Sequence, residues 1–214
     1  MSSSAADRPL LRGWSHVIAV PAALAGAITL VVVSGGDATR RISLAVYGAS
    51  LVLLFAVSAT YHRGPWSARS RAVWRRLDHA MIFVAIAGTY TPVVANVLQG
   101  WQSSLLLALI WLLATSGVVV AATAIPLPRG VTVGLYVAVG WTVVFFLPAL
   151  ATRVHAQGLA VLLCGALLYS AGAIVYALRR PRLWPRVFGY HEVFHMLVIA
   201  ASGVFYAFIA ATVG

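Results

Sequence analysis

Four acidic residues, one cysteine and no lysine stand among the 214 residues of this chain. Charged side chains make up 9% of the whole, too few to wrap a core in a water-facing surface, so a soluble globular domain is excluded. The single cysteine, Cys164, lies inside an apolar run without a partner, which excludes a disulfide framework. As a small buried hydrophobe it needs no function. Internal repeats, low-complexity segments and a separate soluble domain are also missing. What is present is apolar: 62% of the residues are hydrophobic and the mean hydropathy is +0.94, so the bilayer is the solvent.

Runs of about 20 apolar residues are long enough to cross the hydrocarbon. Seven occur, at about 14–34, 42–62, 78–98, 103–124, 130–150, 157–178 and 190–212. The breaks between them are polar or rich in Pro and Gly, as at Ser34, Gly35, Gly36 and Asp37, across the Arg-rich stretch 63–76, and around Pro181 and Pro185. The first run is longer than the apolar core of a signal peptide and reads as a retained helix. These features predict an all-α membrane protein, a seven-transmembrane helix bundle multi-pass in the cell membrane. They place it in a single domain, 14–214, behind a short tail, 1–13.

All fifteen basic residues are arginine. With seven crossings, one side receives Arg8, Arg12, Arg63, Arg69, Arg71, Arg75, Arg76, Arg129, Arg179, Arg180, Arg182 and Arg186, and the other only Arg40, Arg41 and Arg153. The positive-inside rule then predicts a cytoplasmic N-terminus and a C-terminus outside. The net charge of +11 does not require nucleic acid. The arginines flank membrane spans and are interleaved with Trp66, Trp74 and Trp184, a pattern that anchors helices to anionic headgroups. Loops of about ten to fifteen residues supply no basic groove for a polynucleotide.

The last apolar run opens with His191-Glu192-Val193-Phe194-His195. Two imidazoles four positions apart share one helix face, the spacing a single metal ion can bridge. Ionisable groups at the edge of a bilayer are expensive, which marks the pair as a functional candidate. His62 at the end of the second span and Asp78 at the start of the third fall on the same side and at the same depth. Three imidazoles plus one water make the open, catalytic form of a zinc site. Each member also has a plainer reading. Asp78 could cap the third span, His62 could be interfacial, and Ser58, one turn before His62, could back-bond to a carbonyl. His79, rotated about 100° from Asp78, is expected beside the site or toward headgroups, and His16 and His155, at span ends, at the interface. Ser202 and Tyr206 share the face of His195, and Thr89 and Asn96 that of Asp78. They would line a cavity or hydrogen-bond between helices.

Three motifs occur in a fixed order: Ser58-Ala59-Thr60-Tyr61-His62; then Leu77-Asp78-His79 followed by Ala87-Gly88-Thr89-Tyr90-Thr91-Pro92; then Gly189-Tyr190-His191-Glu192-Val193-Phe194-His195. Set in seven spans, they resemble the hemolysin III family, the bacterial branch of the progestin and adipoQ receptors. That branch sits within a wider group of membrane hydrolases that includes the alkaline ceramidases. The resemblance implies that His62, His191 and His195 bind zinc, that Asp78 holds the water at the metal, and that Ser58 lines the same site. It also implies lipid-amide (ceramide) hydrolysis, known for the receptor branch, and haemolysis or membrane homeostasis, associated with the bacterial one.

The chemistry follows from charge. Zinc lowers the pKa of bound water from about 15.7 to about 7 and stabilises a developing oxyanion. Asp78 would take the proton and hand it to the leaving amine, with Ser58 orienting His62 or the water. The predicted function is zinc-dependent hydrolysis of a lipid amide at the inner leaflet, with membrane lipids as partners. The alternatives are a zinc-braced sensor or receptor of membrane homeostasis, an intramembrane metallopeptidase and a cytolytic pore. The peptidase reading arises because H-E-x-x-H is also the zincin motif, with the glutamate as base. Glu192, however, is turned about 100° from the histidine face and is expected to meet a loop arginine such as Arg186.

Overall fold

The computed structural model describes residues 9–123, 125, 127–184 and 186–214. Arg8 with the rest of 1–8, Pro126 and Pro185 lie outside the described residues. Among the described residues, seven helical segments are long and apolar enough to cross a membrane. They are α1 (Trp14–Val33), α2 (Ala38–Arg63), α3 (Ala68–Val97), α4 (Trp101–Ala122), a composite fifth span, α7 (Ala156–Leu178) and α8 (Tyr190–Thr212). The fifth span consists of α5 (Arg129–Gly140), a 3₁₀ segment (Trp141–Phe146) and α6 (Leu147–Ala151). The protein is an all-α, multi-pass membrane protein. The central pair is α2 and α3, each about half buried, while the other spans turn most of their surface outward, as lipid-solvated helices do.

The third helix begins ten residues before its apolar run. Ser67 caps it, its hydroxyl accepting from the Ser70 N–H at 3.2 Å, and the residues from Arg69 to Arg76 lie on the helix rather than in a loop. Arginine is a good helix former, and hydropathy marks only the part of a helix inside hydrocarbon. Asp78 therefore sits about 15 Å along α3, so it is not an N-cap.

The fifth span departs from the uniform helix expected at 130–150. Its backbone ladder breaks where the 3₁₀ segment begins, and Tyr90 of α3 serves both sides of the break. The Tyr90 hydroxyl donates to the Gly140 carbonyl at 2.6 Å and accepts from the Val143 N–H at 2.8 Å. A span with interrupted backbone hydrogen bonds is tolerated inside a membrane only where such partners exist.

Small residues let the central helices approach. A Cβ on Gly48 would stand 2.4 Å from the Ala27 Cβ, and one on Gly88 would stand 2.0 Å from the Ser50 Oγ. Only glycine permits this separation, the usual device for close packing where lipid and core are equally apolar. Cys164, expected to be buried, is exposed on the outer face of α7 beside Ala160 and Leu167. Lipid accepts a thiol there as readily as a core would.

Candidate metal centre

The Arg-rich end of the bundle gathers the polar residues. His62 lies in the last turn of α2, and His191 and His195 in the first two turns of α8. The start of α8 is held by Glu192, whose Oε2 accepts the Gly189 N–H at 2.8 Å. Its Oε1 accepts from the Nε of Arg12, in the segment before α1. Two backbone bonds complete that clamp, from the N–H of Leu10 to the carbonyl of Arg186 at 3.0 Å and from the N–H of Leu11 to that of Val187 at 3.2 Å.

The Nε2 atoms of His62 and His191 are 3.1 Å apart, and one ring nitrogen from each of His62, His191 and His195 lies within 4.8 Å of the others. Zinc–nitrogen bonds of about 2.0–2.1 Å in a tetrahedral shell put neighbouring nitrogens about 3.3 Å apart, so the observed pair already has the spacing of two ligands. His195 is 2% exposed, and its Nδ1 is buried with no hydrogen-bond partner among the described residues. A buried unpaired donor or acceptor costs about 1–3 kcal/mol. Three convergent imidazoles, one of them with an unsatisfied nitrogen, therefore fit a metal ion.

Asp78 and Ser58 line the cavity that the histidines face. Ser58 is buried, and its hydroxyl is the polar neighbour of the Asp78 carboxyl. Asp78 lines the same cavity but is not part of the tight three-histidine group. His79 also lines the cavity without joining the group, and the Tyr136 hydroxyl donates to its backbone carbonyl at 3.3 Å.

Several sequence-based expectations are corrected. His16 is not interfacial: it is 3% exposed and stacked on His195, with ring centroids 3.9 Å apart and planes 8° from parallel. Both of its ring nitrogens are buried with no partner among the described residues. Its place near the start of a span hid this, although an imidazole one turn inside an apolar helix is itself a signal. His155, by contrast, is exposed at the start of α7. Glu192 meets Arg12 instead of Arg186. Each of its oxygens is held, by Arg12 and by the Gly189 N–H, and Glu192 is not among the residues that line the cavity, unlike a zincin glutamate, which faces the water at the metal. Of the deeper polar residues, Thr89 lines the cavity. Ser202 pairs with the Tyr169 hydroxyl at 2.7 Å, Asn96 donates to Ser43 at 2.9 Å, and Tyr206 donates to the Gly26 carbonyl at 3.3 Å. These three serve helix packing.

The cavity has a volume of about 1140 Å³ and is lined by residues of all seven spans, chiefly those of α2, α3, the fifth span, α7 and α8. It begins among arginines beside the histidines and continues to apolar walls at Val94, Leu98, Leu106 and Leu162. From Asp78 to Leu98 the helix rise alone covers about 30 Å, the thickness of the hydrocarbon.

The class so defined is a seven-span membrane protein with a buried three-histidine cluster at one end of a membrane-deep cavity. The family profile described as "Haemolysin-III related" matches residues 4–206, and the chain belongs to that family. Among its relatives is "Hemolysin-3" of Bacillus cereus, 30% identical over 171 residues that span 80% of this chain and 75% of that protein. The "Hemolysin-3 homolog" of Bacillus subtilis (strain 168) is 26% identical over 90% of this chain and 88% of its own length. "Monocyte to macrophage differentiation factor" of Homo sapiens is 27% identical, covering 90% of this chain and 79% of its own.

Proposed function

We propose that this protein is a zinc-dependent hydrolase of a lipid amide, with the Arg-rich end of the bundle facing the cytoplasm. One observation carries the reading. The three histidines, Asp78 and Ser58 open onto a single cavity whose far walls are apolar and membrane-deep. A metal ion buried in a structural brace needs no such volume beside it.

His62, His191 and His195 would hold the zinc through ring nitrogens. When bound, zinc supplies a Lewis acid that polarises a carbonyl and makes water nucleophilic near neutral pH. Asp78 accepts the water's proton at its carboxylate and returns it to the leaving nitrogen, and Ser58, at the Asp78 carboxyl, orients it for both transfers. The apolar walls take the acyl chain and keep bulk water from the scissile bond. Glu192 positions α8 and takes no part in proton transfer.

The test is Asp78→Asn in purified, zinc-loaded protein. It should keep its metal and lose hydrolysis of ceramide-like lipids by about 10²–10⁴-fold, the range for loss of a general base. Wild-type turnover in that variant refutes the mechanism. A second reading, a zinc-braced sensor of membrane state, is favoured by the way the cluster ties α2 to α8. It predicts that Asp78→Asn is silent while His62→Ala abolishes signalling.

A further inference from the structure

Arginines at the Arg-rich end divide into two sets. Arg12, Arg71, Arg75, Arg129, Arg179 and Arg182 line the cavity, whereas Arg63, Arg69, Arg76, Arg180 and Arg186 do not. The positive-inside rule accounts for their side of the membrane but not for this division, since an arginine that only anchors a helix to headgroups faces lipid. On α3 the contrast is sharpest. Arg71, Arg75 and Asp78 follow at spacings of four and three on the face turned into the cavity, while Arg69 and Arg76 lie roughly 140–160° round the same helix.

Two of the lining arginines are already engaged. Arg12 binds Glu192, and the Arg129 guanidinium lies 4.7 Å over the Tyr176 ring and donates to the Tyr176 carbonyl at 3.3 Å. The other four, Arg71, Arg75, Arg179 and Arg182, have no carboxylate partner among the described residues. Guanidiniums without a carboxylate partner that line one cavity repel each other, and an anion with several oxygens relieves that repulsion through paired N–H donors. Along α3, Arg75 and Arg71 stand about 5 and 10 Å outward from Asp78. An anion held there is clear of the Asp78 carboxylate, while a chain attached to it passes the histidines into the apolar part of the cavity.

We propose that the ligand of this cavity is an acidic membrane lipid. One long acyl chain occupies the apolar depth, and a phosphate-bearing headgroup is held at the mouth by Arg71, Arg75, Arg179 and Arg182. This names the substrate class of the site described above and rests on reading that cavity as a lipid site. The lipid is favoured over a soluble phosphate because the basic mouth and the apolar depth belong to one continuous space.

The experiment uses full-length protein in neutral detergent with two radiolabelled probes, ceramide and its 1-phosphate ester, which differ only by the phosphate. Binding and fatty-acid release are both read. The phosphate ester should bind at least about tenfold more tightly, roughly 1.4 kcal/mol. That preference should collapse in Arg71→Gln/Arg75→Gln, survive in Arg69→Gln/Arg76→Gln, which removes the same charge from the same helix, and return substantially in Arg71→Lys/Arg75→Lys. Equal affinity for the two probes, or equal loss in the two glutamine variants, overturns the proposal. So does displacement of the bound ester by inorganic phosphate at the ester's own affinity, which would mark a soluble-anion site. If ceramide is bound and hydrolysed as well as its ester, the proposal falls and the hydrolase reading stands. Preferential binding of the ester with no release of fatty acid leaves the proposal standing and removes the hydrolase reading. If neither probe binds, both fall.

Discussion

Replacing Glu192 by glutamine separates a structural from a catalytic role for the middle of the H-E-x-x-H sequence. The side chain is 2% exposed, and its partner Arg12 is 20% exposed. Removing one member of a fully buried pair costs about 3–5 kcal/mol, and the access of Arg12 to water lowers this to about 2–3 kcal/mol. Glutamine keeps an oxygen for the Gly189 N–H, so the start of α8 stays capped. Glu192→Ala removes that acceptor as well and adds about 1 kcal/mol. Thermal unfolding in detergent, followed by tryptophan fluorescence, should rank wild type above Glu192→Gln above Glu192→Ala. The double variant Arg12→Met/Glu192→Gln should cost at least about 1 kcal/mol less than the sum of its parts, because the two residues act as one unit. Zinc-loaded Glu192→Gln protein should hydrolyse lipid near the wild-type rate below its unfolding temperature. Wild-type stability with abolished turnover would refute this reasoning and restore the glutamate as base.

Metal analysis should find about one zinc per chain, lost in His62→Ala and His195→Ala. His16→Leu, which removes the ring stacked on His195 but no ligand, should weaken zinc binding about 10-fold in chelator competition. Gly88→Ala should destabilise by about 1–3 kcal/mol, because its Cβ would meet Ser50. Adding Ser50→Gly should recover part of that loss in the same unfolding assay. A reporter fused after Gly214 should be active only outside the cytoplasm, and activity only inside would reverse the orientation.

Composition and periodicity were sufficient for the seven spans, because a bilayer demands about 20 apolar residues per crossing and the chain supplies seven such runs. They were also sufficient to pair His191 with His195, since four residues make one helical turn. Helix ends and the fifth span were less legible: hydropathy is silent about the arginine turns that begin α3, and the 3₁₀ break depends on a tyrosine 50 residues away. The partnership of Arg12 with Glu192, 180 residues apart, and the stacking of His16 on His195 belong wholly to tertiary structure. So does the division of the arginines into those that line the cavity and those that do not. Local spacing decides which side chains share a helix face, but only the packing of one helix against another decides what that face meets.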